Sequence, residues 1–215
     1  MRVAAISDTH GRQNWVMPSC DVFVHAGDIT GRGSLAETST FAARLRDEMS
    51  SPHGPRYAII VPGNHDQCFE MFPIPARELF GENVHVLLDE AIVLEGVRFY
   101  GSPWTPPFMR WHFIADESRL ASLYTAMPDV IDVLVTHGPP RGILDPGWQE
   151  AHVGSTALAE AVAARRIVHH VFGHLHDAGG QSFQRGATTF HNVAACNEQY
   201  VLVNQPKMIN VQPAG

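Results

Sequence analysis

Ala58-Ile59-Ile60-Val61-Pro62-Gly63-Asn64-His65-Asp66 joins an apolar run directly to a cluster of chemically active side chains. Residues 58–61 have the length and branching of a buried strand. Pro62 and Gly63 stop that strand, and Gly63 allows a tight turn out of it. An amide, an imidazole and a carboxylate then follow in succession. In open α/β sheets such groups collect where strands end. Read alone, the segment is either a ligand-bearing turn or a polar turn held by its own asparagine.

The same pattern recurs on both sides of it. Residues 3–6 lead into Asp8-Thr9-His10, and residues 22–24 into His25-Ala26-Gly27-Asp28. Residues 130–135 lead into Thr136-His137, and Val171-Phe172 into Gly173-His174-Leu175-His176. In Asp8/His10 and His174/His176 the i, i+2 spacing turns both side chains to one side of an extended chain. Taken singly, each motif has a plain alternative: a capping Asp, a turn Gly-Asp, a structural His. All five fall at strand ends, and together they supply Asp8, Asp28, Asn64, His10, His137, His174 and His176 as candidate metal ligands. His65 is left over. That set suffices for two ions sharing one carboxylate, the arrangement of hydrolytic phosphate chemistry. His25 is a candidate partner behind the ligands.

The intervening chain reads as α/β. Residues 34–49 form an amphipathic helix with Ser34 or a neighbour as cap. A short helix follows Asp66. Strands are expected at 84–88, 91–94 and 97–100, with Glu95-Gly96 as a turn. Residues 101–112, dense in proline and aromatics, form a long ordered loop. Helices are expected at 116–127, ended by Pro128, and at 155–166. After Gly180, short strands are expected around Phe183, at 188–192 and at 200–203. The first half looks βαβ-like and the second half more antiparallel. Helices cover the sheet faces.

The 215 residues, 45% apolar and 17% charged, fit a single domain spanning 1–215. The net charge of -7 disfavours stable nucleic-acid binding, while a small phosphate ester held by cations remains compatible. Three dispersed cysteines without a CxxC pair argue against a disulfide framework. The apolar N-terminal run is too short for a signal segment, and no run has the length of a membrane span. A cytoplasmic protein is expected, with no membrane partner.

The ordered set Asp-x-His, Gly-Asp, Gly-Asn-His-Asp, Thr-His, Gly-His-x-His resembles the calcineurin-like metallophosphoesterase superfamily. The match runs from Asp8 to His176 and fills every ligand position. Thr136-His137-Gly138-Pro139-Pro140, Val171 to His176 and Gly101-Ser102-Pro103-Trp104 resemble the metallophosphoesterase-domain-containing, class III cyclic-nucleotide-phosphodiesterase-like subfamily. The resemblance implies a four-layer α/β/β/α sandwich with the site at one edge of two sheets. It implies one ion on Asp8, His10, Asp28 and His176, and a second on Asp28, Asn64, His137 and His174. His65 would be the general acid or charge stabiliser, with Asp66 hydrogen-bonded to its ring. Some relatives lack the first His of Gly-His-x-His and are weakly active; His174 is present in this chain.

One departure narrows the substrate. Protein phosphatases of the superfamily have Asp-Arg-Gly after Gly-Asp, whereas Asp28 is followed by Ile29-Thr30-Gly31-Arg32-Gly33. Phosphoprotein substrates are not expected. The expected function is hydrolysis of small phosphodiesters, cyclic nucleotides included, and of some monoesters, by a bridging water activated between two divalent ions. Ligands without thiolate suit Mn²⁺, Fe or Zn²⁺, with Mn²⁺ favoured by the resemblance. Arg32, Trp104, Phe108, Trp111 and His112 are the candidate substrate contacts, the aromatics as stacking faces for a base. A scaffold of the same fold without activity and a nuclease are the alternatives.

Overall fold

The five apolar runs that carry the motifs end at neighbouring positions in two stacked sheets. The computed structural model describes residues 1–146 and 151–213. Strands β1 (Arg2–Ile6), β2 (Val22–His25), β3 (Tyr57–Ile60) and β4 (Val84–Val86) lie side by side and parallel. The second sheet is built from β5 (Glu90–Leu94), β6 (Val97–Ser102), β7 (Val130–Thr136), β8 (Arg166–Phe172), β9 (Ser182–Arg185) and β10 (Thr188–Asn192). Its order is β5-β6-β7-β8-β10-β9. Strand β11 (Lys207–Asn210) returns to the first sheet antiparallel to β1.

Alternation along the strands divides the apolar residues into three layers of core. Val3, Ala5, Val24, Ile59 and Val61 of the first sheet meet Phe99, Val133, Val135 and Val171 of the second. The other face of the first sheet, with Ile6, Phe23 and Ile60, is covered by Phe41 and Leu45 of α1 (Leu35–Met49), Phe69 of α2 (Gln67–Met71) and Ala76 of α3 (Pro73–Glu78). The far face of the second sheet, with Tyr100, Leu134 and Phe172, is covered by Leu120 and Tyr124 of α4 (Glu117–Tyr124) and Leu158 and Val162 of α5 (Thr156–Ala163). The architecture is the four-layer α/β/β/α sandwich. Each fully buried Phe or Leu contributes about 1.5–3 kcal/mol relative to exposure.

Helix α1 starts where the sequence places its cap. The Ser34 hydroxyl accepts from the Glu37 N–H at 3.2 Å, and the Glu37 carboxylate accepts from the Ser34 N–H at 3.2 Å. Helix α4 stops at Tyr124, earlier than residue 127. Helix α5 stops at Ala163, because the β-branched Ile167 and Val168 belong to β8. The second half is less antiparallel than expected. Strands β6, β7, β8 and β10 are mutually parallel, and only the edges β5 and β9 run against them. Residues 200–203 are not a ladder strand, apart from one bridge between Cys196 and Leu202. The last strand is Lys207–Asn210, which covers the open edge of β1. No helix among the described residues is long and apolar enough to cross a membrane.

Candidate metal centre

Backbone bonds lock the strand ends together before any side chain is considered. The Asp8 N–H donates to the Gly27 carbonyl at 2.8 Å, the Gly173 N–H to the His137 carbonyl at 2.9 Å, and the Ser7 N–H across the sheets to Val193 at 3.0 Å. The His174 N–H donates to the Asp8 carboxylate, tying the end of β8 to the end of β1. Asp8 (φ 53°), His10 (φ 44°), Asp28 (φ 54°) and His174 (φ 66°) all hold left-handed backbone. Such residues are uncommon outside glycine and cluster where strain serves a site. Gly63 and Gly173 are required by close approach. A Cβ on Gly63 would overlap the Asp28 carboxylate and the His137 ring, and one on Gly173 would overlap the Asp8 carboxylate and Ser7.

The side chains converge in two linked groups and in a third, His10, Asp28 and His65, that overlaps both. Asp8, His10 and His176 form one: His10 Nε2 and His176 Nε2 lie 3.3 Å apart, and His176 Nε2 lies 3.5 Å from Asp8 Oδ1. Asp8, Asp28 and His137 form the other, with His137 Nε2 at 3.4 Å from Asp28 Oδ1 and 2.9 Å from Asn64 Oδ1. Asp28 joins them, because its Oδ2 is 3.7 Å from His10 Nε2. The His174 ring stands edge-on beside His137, centroids 5.0 Å apart.

The donor set fits divalent cations. The His137 Nδ1 donates to the Ala26 carbonyl at 3.0 Å and the His176 Nδ1 to the Asn197 carbonyl at 2.9 Å. Both rings therefore present Nε2 to the centre, fixed from behind as ligating imidazoles are. Asp8 and Asp28 are buried, and the ring nitrogens of His10, His137 and His176 are among the partners they meet. Burial alone would raise Asp8, but the His176 hydrogen bond and the His137 charge hold it at about 2. Burial would also raise Asp28, and His137, His10 and His65 hold it well below the carboxylate range. Burial would lower His137, which Asp28 and Asp8 instead carry up to about 9. Burial, then His137, pushes His174 down to about 4. Buried carboxylates facing imidazole Nε2 atoms leave a place where divalent cations fit.

His65 and Asp66 take different positions. The His65 N–H donates to Asp28 Oδ1 at 2.8 Å, and its Nδ1 donates to the Gly31 carbonyl at 3.1 Å. The expected bond from the His65 ring to Asp66 is not formed. Asp66 is fully buried and accepts from the N–H groups of Ile29, Thr30 and Gly63 and from the Thr30 hydroxyl. It fastens the loop after β2 to the loop after β3. Burial and then the Asp28 charge raise Asp66 to about 6. His25 lies behind the first motif, its Nε2 3.0 Å from the Thr9 hydroxyl.

The candidate substrate contacts separate sharply. Trp111 lies over the His65 ring, centroids 4.0 Å apart at 30°. Phe108 stands edge-on to His174 at 6.0 Å. Trp104 is not brought to these histidines. Its Nε1 donates to Asp89 at 2.7 Å, its ring packs on Phe113, and the Arg119 guanidinium covers it. It anchors the loop that carries Trp111. His112 pairs with Glu70 at 2.9 Å, and its N–H donates to the Asn64 carbonyl at 3.3 Å. Arg32 is exposed on the turn before α1, where its N–H bonds Glu37. Sequence reasoning missed Tyr200, whose ring meets His10 at 4.7 Å and His176 at 5.6 Å. No local motif marks it, since it lies far along the chain from both partners.

Residues 1–178 match the sequence profile of the calcineurin-like phosphoesterases. The chain belongs to that family. It is 34% identical to human metallophosphoesterase domain-containing protein 1, over 98% of this chain and 71% of the relative. It is 32% identical to a UPF0046 protein of Caenorhabditis elegans, over 96% of this chain and 73% of the relative. Its fold is similar to that of phosphopantetheinyl hydrolase from Mycobacterium tuberculosis, with a TM-score of 0.66 at 17% identity, over 92% and 90% of the two chains. Family membership and the clustered Asp and His groups make this a metallophosphoesterase with a divalent metal centre.

Proposed function

We propose that this calcineurin-like phosphoesterase hydrolyses small phosphodiesters, cyclic nucleotides among them, and some phosphomonoesters, with two Mn²⁺ ions. The observation that carries this reading is Asp28, whose two oxygens face His10 on one side and His137 on the other. That placement suits one carboxylate shared by two cations. Asp8, His10, Asp28 and His176 would hold the first, and Asp28, Asn64, His137 and His174 the second. Bound divalent cations supply Lewis-acid polarisation of the phosphoryl oxygens.

The chain's own residues do the rest. The Gly31 carbonyl accepts from His65 Nδ1–H and orients its ring, and in the imidazolium form the second N–H is on Nε2. His65 Nε2 then holds a proton for the departing ester oxygen or stabilises charge on the phosphoryl group. Asp66 acts as a positioning residue, fastening the two loops that carry Asp28 and His65. Trp111 covers the His65 ring and restricts water there. Trp111 and Phe108 offer faces to the ester substituents, while His112 is paired with Glu70, Trp104 is held by Asp89, and Arg32 lies on the exposed turn before α1. The three cysteines are buried thiols, which suits a reducing cytoplasm. Stable nucleic-acid or membrane partners are not part of this reading.

The test is a screen of purified, Mn²⁺-loaded protein against bis-p-nitrophenyl phosphate, p-nitrophenyl phosphate, and 2′,3′- and 3′,5′-cyclic nucleotides. Turnover of the diesters, lost on chelation and restored by Mn²⁺, is expected. Absence of turnover on every ester in excess Mn²⁺ would instead make the chain a scaffold of this fold.

A further inference from the structure

Tyr200 stands beside the candidate metal ligands His10 and His176, in a segment that follows the family match ending at residue 178. Its φ is 56°, the left-handed position that closes the tight turn between the bridged residues Cys196 and Leu202. The surrounding loop enforces it. The Asn197 side chain accepts from the N–H groups of Gln199 and Val201 at 3.1 and 3.0 Å. The Asn197 carbonyl accepts from the Tyr200 N–H at 2.8 Å and also from His176 Nδ1 at 2.9 Å. Arg12, two residues after His10, donates from Nε to the Tyr200 carbonyl at 3.2 Å. One carbonyl thus orients both a candidate ligand and the tyrosine, and a second contact clamps the tyrosine from the opposite motif.

The ring so placed is edge-on to His10 and His176 and 6.5 Å from His65. It is 42% exposed, so it is not packed as core. Trp111, 38% exposed, lies on the other aromatic neighbour of the centre, His65. Two open aromatic surfaces therefore border the imidazoles around which a phosphate would be held. A ring fixed beside the imidazoles by several hydrogen bonds, and left half open, presents a surface that a ligand held there can contact. An open aromatic surface favours flat partners, because stacking and edge contacts are strong for rings and weak for alkyl chains.

We propose that Tyr200 is a specificity-determining residue of this site, its ring forming with Trp111 a border that favours phosphate esters carrying a flat aromatic group over alkyl esters. This rests on the phosphoesterase reading above. The flat group belongs to the part of the ester bound at the rim, and an aryl ring or a nucleobase satisfies the same contact.

Three diesters that release the same p-nitrophenolate isolate that contact: the thymidine 5′-, phenyl and ethyl p-nitrophenyl phosphates. The Mn²⁺-loaded protein should prefer the first two over the ethyl ester in kcat/KM. Tyr200→Ala and Tyr200→Leu should each cut that preference about tenfold, the order expected for one lost aromatic contact. Tyr200→Phe should retain it. Equal loss on all three esters together with loss of bound metal would overturn the proposal, showing that Tyr200 only supports His10 and His176. An unchanged preference would overturn it as well. Calorimetric binding of phenyl phosphate against ethyl phosphate separates the two readings. If no ester is turned over but phenyl phosphate still binds more tightly, and does so only with an aromatic residue at 200, the hydrolase reading fails and this one stands. If the wild-type protein binds both equally and shows no ester preference, this one fails.

Discussion

Asp28 and His65 sit side by side, and their duties diverge through the partners each side chain meets. The Asp28 carboxylate faces His10 and His137, whereas the His65 Nδ1 is committed to the Gly31 carbonyl. Asp28→Ala should therefore deplete both cations, as read by elemental analysis. His65→Gln should keep them while lowering kcat about 10²–10⁴-fold; equal metal loss in the two variants would contradict this division. Asp66 illustrates what a motif conceals. Its neighbour in sequence is His65, but three backbone N–H groups and a hydroxyl occupy its oxygens. Asp66→Ala would strand buried donors at about 1–3 kcal/mol each. The urea midpoint should drop well beyond a surface substitution, and kcat should drop with it. The residues that converge here were legible as candidate ligands because few residue types bind hard cations. The partner of Asp66 was not, because it depends on how two loops meet.

At the scale of elements, strand ends aim the ligands. The end of β8 can approach the end of β1 only because residue 173 has no side chain. Gly173→Ala should leave the far-ultraviolet circular dichroism close to wild type while weakening metal binding, since the intruding methyl displaces the Asp8 carboxylate. A wild-type metal affinity in a folded Gly173→Ala protein would contradict that placement. The motif-bearing strands and α1 were legible from apolar runs, glycine and proline punctuation, and the Ser34 cap. The end of α5 and the identity of β11 were not. The Ala-rich periodicity continues toward residue 166, but pairing with β7 claims Arg166 as strand. Residues 200–203 have strand-like composition, and residues 207–210 win the edge of β1 because they reach it.

Across the molecule, stability and the site are coupled through the charge gathered at one edge of the sandwich. Two buried carboxylates and several imidazoles face one another there, so a divalent cation that binds only the folded state stabilises it. Saturation at 100 times the dissociation constant is worth about 2.7 kcal/mol, or about 5–10 °C in Tm for a chain of this size. Differential scanning fluorimetry with Mn²⁺ and then chelator should show that rise and its reversal. A second coupling is to pH. Burial lowers His170 from 6.5 to about 3, so the ring is neutral in the fold and accepts protons more readily once unfolded. Its contribution is complete above pH 6.5 and is lost as the pH falls toward 3. In chelator, the urea midpoint should decline from pH 7 to 5, and His170→Gln should flatten that decline. An identical pH slope in the variant would remove His170 as its source. The apolar runs, their turn punctuation and the candidate ligands that follow them were set by the sequence itself, because strand pattern and residue chemistry are local properties, while the four-layer order was implied by the family resemblance. Only the tertiary structure decided that Asp66 clamps loops, that Trp104 anchors while Trp111 covers His65, and that Tyr200 borders the centre. Those roles are contacts between segments up to 190 positions apart, set by how strands pair within a sheet and how loops meet at its edge.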